Sequence, residues 1–307
     1  MVTVGAHSGS GRAEGLAVVI QATVAAWQQG QTALREEVDR VTSLLRSIQD
    51  SRVPAVGQWN VGELAMHLSQ TWLGIPAMAR RNLSPIYEVL PDIAGTAGDS
   101  MMKDIWELGD LMTRAVEKDP ERDLGILADR IEAEADRYFA ECGGADPNAL
   151  VPWMVQGFTL PLSSFTYHLL QETVVHGYDI ARAAGRKWRI EPSHAAMALG
   201  RFTFRVLQGA PPRMFVNGAK VAGVRATYDI RLRGGDRCYF VFNDGDFTVE
   251  DPSPRRVDCH ISADPVAMLL VFFDRRSQWP AIATGKLMAW GRKPWLGFQL
   301  RSLLRNP

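Results

Sequence analysis

At 307 residues, with 46% hydrophobic and 22% charged side chains, the chain has the balance of a soluble globular protein and exceeds the usual length of one compact core. Its 34 basic residues offset 34 acidic ones and no run of Lys and Arg is longer than a pair, which argues against a nucleic-acid surface. Cys142, Cys238 and Cys259 lie far apart in no CxxC spacing, so neither a disulfide framework nor a thiolate metal site is indicated; all three are expected as small buried hydrophobes, and a reducing cytoplasm fits best.

Residues 1–13, rich in Gly and Ser, are expected to form a flexible tail. The apolar stretch 16–27 is broken by Gln21 and Thr23, falls short of the ~20 residues that span a bilayer, and has neither a basic leader nor a good cleavage site. No stable membrane insertion and no signal peptide are therefore expected. From 14 to 190 the apolar spacing is helical: Val38, Val41, Leu45 and Ile48 fall on one stripe, and Leu64, His67, Leu68 and Thr71 on another. Further helices are predicted around 99–117, 121–142 and 163–185, separated by Pro54 with Gly57, Pro85, Pro91, Asp119-Pro120 and the 143–152 stretch. The pattern is that of an up-and-down bundle.

Past about 190 the period changes. Val224, Ala226, Tyr228, Ile230 and Leu232 alternate with polar residues, as in a half-buried strand. Gly234-Gly235 makes a turn, and Asp244-Gly245 joins strands at 239–242 and 247–249. Asp264-Pro265 reads as N-cap and first residue of a helix, and Lys293-Pro294 opens a closing helix through Leu304. Residues 191–307 are thus predicted to be an α+β domain following an all-α domain.

Glu172 and His176, four apart in a helical pattern, leave one face about 6 Å apart along the axis, a spacing that can chelate a divalent metal. Zinc accepts imidazole and carboxylate donors, and three protein ligands leave a fourth position open. Such a pair also occurs by chance on helix surfaces, and a lone His67 more often bonds a backbone carbonyl in a core. His67, on the inward stripe of its own helix, is the best third ligand. His168 extends the stripe by a turn and is the alternative, but eight residues span about 12 Å, too far for both histidines of one helix to share an ion comfortably with Glu172. Iron, nickel or manganese would suit the same donors. Asp179 can orient a histidine as an acceptor behind the metal, or pair with Arg182. Trp59 can pack the helix entry or wall the site; Arg80 and Arg81 can meet an anionic substrate or simply suit a helix C-terminus.

Residues 54–68, PAVGQWNVGELAMHL, resemble the entry to the second helix of the mycothiol-dependent maleylpyruvate isomerase family, one of the wider DinB-like bundles, in which a tryptophan precedes the first metal-binding histidine by eight positions, as Trp59 precedes His67. Residues 170–182, LQETVVHGYDIAR, resemble that family's later helix, whose Glu and His complete the metal site, here Glu172 and His176. From about 195 the chain resembles a sterol-carrier-protein-like module, chiefly through ISADPVAMLL at 261–270 and ATGKLMAWG at 283–291. In such a module Met268, Leu269, Phe272, Phe273, Trp290 and Trp295 can line an apolar hollow or simply fill a core.

The resemblance implies a zinc site that takes the small thiol mycothiol and promotes its transfer to an electrophilic substrate, in a monomer or homodimer. Two other classes stay open: a non-enzymatic binder of apolar ligands acting through the C-terminal domain, and a metal-dependent hydrolase whose open position activates water.

Overall fold

The computed structural model describes residues 22–209, 211 and 214–305; the expected tail at 1–13 and the start of the expected bundle, up to residue 21, lie outside them. Helix α1 (Val24–Ser47) begins at Thr23, whose side chain accepts the Ala26 N–H, and buries Leu34, Val38, Val41 and Leu45 as one stripe. A short hairpin, β1 (Pro54–Val56) and β2 (Trp59–Asn60), leads into α2 (Val61–Ala79). The start of α2 is fixed by a reciprocal capping box: Asn60 accepts the Glu63 N–H while Glu63 accepts the Asn60 N–H, both at 2.9 Å. After α3 (Ser84–Val89) come α4 (Leu108–Lys118) and α5 (Leu124–Cys142). A second hairpin, β3 (Leu150–Pro152) with β4 (Thr159–Pro161), precedes α6 (Leu162–Ala183). Helices α1, α2, α5 and α6 form the bundle, with α5 and α6 each packed between α1 and α2.

The helix predicted over 99–117 is shorter in the structure. Gly95 and Gly98 adopt φ of +73° and +63°, the Met101 and Met102 N–H groups both bond the Met154 carbonyl, and helix begins only after Asp104 caps a 3-10 turn at Ile105–Glu107. Local caps and a cross-chain tie outcompete the apolar period there.

Beyond α6 the chain stays helical through α7 (Pro192–Met197), a π-helical turn at Ala198–Thr203 and α8 (Phe204–Gly209), then a short α9 (Gly218–Val221). A mixed sheet follows: β5 (Arg225–Leu232), β6 (Arg237–Asn243), β7 (Asp246–Glu250), β8 (Cys259–Ala263) and β9 (Leu287–Trp290), in the order β7-β6-β5-β8-β9. Only β5 and β8 run parallel. Asp244 and Gly245, both at positive φ, make the tight turn between β6 and β7. Helices α10 (Pro265–Phe272), capped by Asp264, α11 (Gln278–Ala283) and α12 (Leu296–Leu303) complete the module. The closing helix starts two residues after the Lys293-Pro294 step. The three cysteines are free and buried. Among the described residues no helix is long and apolar enough to cross a membrane.

Candidate metal centre

The capping box sets the register of α2 so that His67, in its second turn, faces α6. Trp72 on α2 and Thr173 on α6, bonded at 3.3 Å in the core, hold the two helices together beside it. Glu172 and His176 project from α6 toward His67. His176 Nε2 lies 3.2 Å and His67 Nε2 3.9 Å from Glu172 Oε2, and one donor atom from each of the three residues falls within 4.8 Å of the others. The two imidazoles meet edge to face, with ring centroids 4.9 Å apart.

A divalent cation fits this arrangement. Bonds of about 2.0–2.2 Å at tetrahedral angles put donor atoms about 3.3–3.6 Å apart, and the 3.2 and 3.9 Å separations bracket that spacing. The Nδ1 of His67 is buried without a hydrogen-bond partner, and that of His176 faces the Asp179 carboxylate 3.5 Å away, as the far nitrogen of a metal-bound imidazole commonly does.

Behind His176 stands a pair that local spacing does not reveal. Asp179 is fully buried, with Oδ2 3.5 Å from His176 Nδ1, and its carboxylate takes a bidentate contact from Arg275, Nε to Oδ1 at 3.1 Å and Nη2 to Oδ2 at 2.7 Å. The partner of Asp179 is therefore Arg275, just beyond α10, and not the exposed Arg182 three residues on. Arg275 also donates Nη1 to the Phe273 carbonyl at 2.7 Å, so the C-terminal module reaches into the bundle at this point.

The electrostatics follow from burial and these pairs. Burial lowers the His67 pKa, with Glu172 opposing and His176 adding to the fall. Burial likewise pushes His168 down to about 4. For His176 burial acts the same way but is outweighed by Asp179 and Glu172, which raise it to about 9. Burial would raise Glu172, yet His176 and His67 hold its carboxyl well below the usual range.

The remaining expected site residues separate into two groups. Trp59 walls the centre, its ring centroid 5.0 Å from that of His67. His168 lies beside it, Nε2 3.8 Å from Glu172 Oε1, but its ring stacks on Phe202 at 4.0 Å and its Nδ1 faces the Trp153 indole N–H at 3.5 Å. Arg80 is elsewhere: it pairs with Glu134 at 3.5 Å and Glu141 at 3.3 Å on α5, so the expectation that it greets a substrate finds no support in its position. Its neighbour Arg81 donates to the Leu150 carbonyl.

The centre opens into a cavity of about 410 Å³ between α2, α4, α6, the π-helical turn and the end of α10. Trp153, Phe202 and Arg275 line it and were not singled out by the sequence, and Phe273, expected at the C-terminal hollow, lines this cavity instead. A second hollow of about 620 Å³ lies among β8, β9, α10, α11 and α12. Met268, Phe272 and Trp295 line it as expected, whereas Leu269 is fully buried in the core and Trp290 stacks on His260 at 5.4 Å.

A helical bundle joined to an α+β module defines the class. The sequence model of the mycothiol maleylpyruvate isomerase N-terminal domain matches residues 21–181, and that of the SCP-2 sterol transfer family matches residues 213–291. The chain belongs to the mycothiol maleylpyruvate isomerase family. The expected class of activity, a thiol-dependent isomerase or transferase, agrees with that membership. Among solved structures, the chain is similar to the mycothiol-dependent maleylpyruvate isomerase, with 12% identity and a TM-score of 0.51 over 87% of this chain and 95% of that one. A histidine-to-alanine mutant of that enzyme matches at 10% identity and a TM-score of 0.50, with the same coverage. These likenesses show the shared fold. No curated protein matches the chain.

Proposed function

We propose that this protein is a metal-dependent thiol transferase or isomerase that joins mycothiol, or a similar small thiol, to a small electrophile. The observation that carries this reading is the convergence of His67, Glu172 and His176 on one point at the wall of a largely apolar cavity. Zinc is the expected metal, since the donors are two imidazoles and a carboxylate and a fourth position faces the cavity.

A divalent cation held by these three residues supplies the positive charge that lets a thiol of pKa about 8.5 ionise at neutral pH. The chain's own residues do the rest. Asp179, anchored by Arg275, orients His176 from behind. Trp59, Trp153 and Phe202 exclude water around the sulfur, and His168, kept neutral by burial, presents an imidazole edge to the same space. In an addition, the sulfur forms a C–S bond to the β carbon of an electron-poor alkene while the π pair moves to the α carbon, which takes up the proton that the thiol released. Reversal after rotation about the former double bond isomerises the alkene and returns the thiol unchanged.

Elemental analysis of the purified protein should give about one zinc per chain, followed by thiol-dependent loss of an electron-poor alkene. Thiol-independent hydrolysis in the same assay would favour a metal-dependent hydrolase instead. A second reading is favoured by the C-terminal hollow: its lining of Met268, Val271, Leu300 and Trp295 suits an apolar ligand. Binding of a fluorescent fatty acid by delipidated protein tests it.

A further inference from the structure

The cavity beside the centre is built for a particular kind of molecule. Its walls include Met78, Met101, Met112, Phe202, Phe215 and Phe273, a soft, polarisable lining that adapts to shape, beside a smaller polar share from Gln70, Thr71 and Thr113. Two of its polar side chains, Gln171 and Thr203, are bonded to each other. Among the described residues the one Arg or Lys that lines it is Arg275, and all three of its guanidinium nitrogens are engaged, Nε and Nη2 by Asp179 and Nη1 by the Phe273 carbonyl. The centre itself has no charge to spare: a divalent cation is offset by Glu172 and by a bound thiolate. A dianion entering this space would lose its hydration with no unpaired cation among the described lining residues to replace it, which is costly.

We infer that the cavity at the metal centre selects a neutral, apolar electrophile, with an aromatic or branched hydrocarbon body, over a small dicarboxylate. The inference rests on the thiol-transfer reading for the word electrophile, but the selection is a property of the cavity and is measured as binding, without turnover. Met112 is the position to alter, because it lies half-buried on the cavity wall, where a larger or charged side chain is compatible with folding.

Calorimetry on the zinc-loaded chain, saturated with a small thiol such as 2-mercaptoethanol so that no open metal position is left for a carboxylate, would compare 4-phenylbutan-2-one, an unreactive neutral ketone, with succinate. The ketone should bind at least about tenfold more tightly. Met112→Trp, which fills the space, should weaken the ketone by a similar factor, and Met112→Lys should weaken the ketone while strengthening succinate. Succinate binding as tightly as the ketone, or no binding of either, overturns the inference. So does loss of ketone binding in Ile282→Trp but not in Met112→Trp, since Ile282 lines the C-terminal hollow. The unsaturated analogue 4-phenylbut-3-en-2-one with mycothiol separates the two layers. If the ketone binds as expected but the enone is not consumed, the thiol-transfer reading fails while the selectivity of the cavity stands.

Discussion

Glu172 in the bundle and Asp229 in the sheet are both carboxylates drawn in from solvent, and they are partnered in opposite ways. Asp229 is fully buried and saturated: Arg237 Nε donates to Oδ1 at 2.7 Å, and Arg231 Nη2 and His260 Nδ1 reach Oδ2 at 2.6 and 2.7 Å. Glu172, 20% exposed toward the cavity, has three imidazole Nε2 atoms at 3.2, 3.8 and 3.9 Å and no arginine. A carboxylate surrounded by permanent cations is a lock. One ringed by imidazoles at donor spacing, with a second carboxylate behind the nearest of them, is the arrangement a metal would need. The arginine that the C-terminal module brings to the bundle, Arg275, is held one layer back on Asp179, where it cannot compete for Glu172.

The largest test of this contrast is removal of the donors. His67→Ala, Glu172→Ala and His176→Ala should each take metal content from about one ion per chain to near zero, with loss of thiol-dependent turnover. Full occupancy retained in any one of them would strike that residue from the site. One layer back the effect is smaller: Asp179→Asn should weaken metal binding by about 10–100-fold in competition with a chelator. An unchanged affinity would reduce the Asp179–Arg275 pair to a clamp between the two parts of the chain.

How legible these sites were depends on where their partners lie in the chain. Glu172 and His176 could be paired because one helix carries both, and His67 because it fell on an inward stripe. Arg275 is 96 residues from Asp179, and nothing in local spacing links them. Asp229 sits at an outward position of a strand whose alternation was correctly read, so exposure was the natural expectation. It is buried instead because Arg231 and Arg237, on the same face, fold over it. The fold itself was readable wherever the apolar period was strong, as in α1, α2, α6 and β5. It failed at 99–104, where a cap and positive-φ glycines decide the path.

The lock in the sheet predicts stability rather than metal binding. Asp229→Asn should leave metal content unchanged and cost about 1–3 kcal/mol near neutral pH, less than for a wholly buried ion pair because the half-exposed arginines can rehydrate. Burial would raise the Asp229 pKa, but the arginines and His260 outweigh it and hold it at about 2, below its ordinary 3.8. A depressed pKa contributes stability above the unfolded value and loses it as the pH falls through the folded one. The gap between wild type and Asp229→Asn in urea unfolding should therefore shrink between about pH 4 and pH 2. A gap that stays constant across that window would mean that the carboxylate charge is not what stabilises the sheet.

Arg80 gives the smallest expected effect and the sharpest check on which positive charges matter. Its guanidinium lies over α5, 3.5 Å from Glu134 and 3.3 Å from Glu141, on the bundle wall away from the cavity. Glu134 keeps a second partner on Oε1, Arg137 at 3.1 Å, and Glu141 is half-exposed, so the loss of Arg80 is felt chiefly at the buried Glu134 Oε2. Arg80→Ala should cost about 1–2 kcal/mol of stability and leave metal affinity and substrate KM unchanged. A tenfold rise in KM for an anionic substrate, at constant stability, would show that this arginine acts on the ligand after all, and that the cavity draws on charges beyond those that line it.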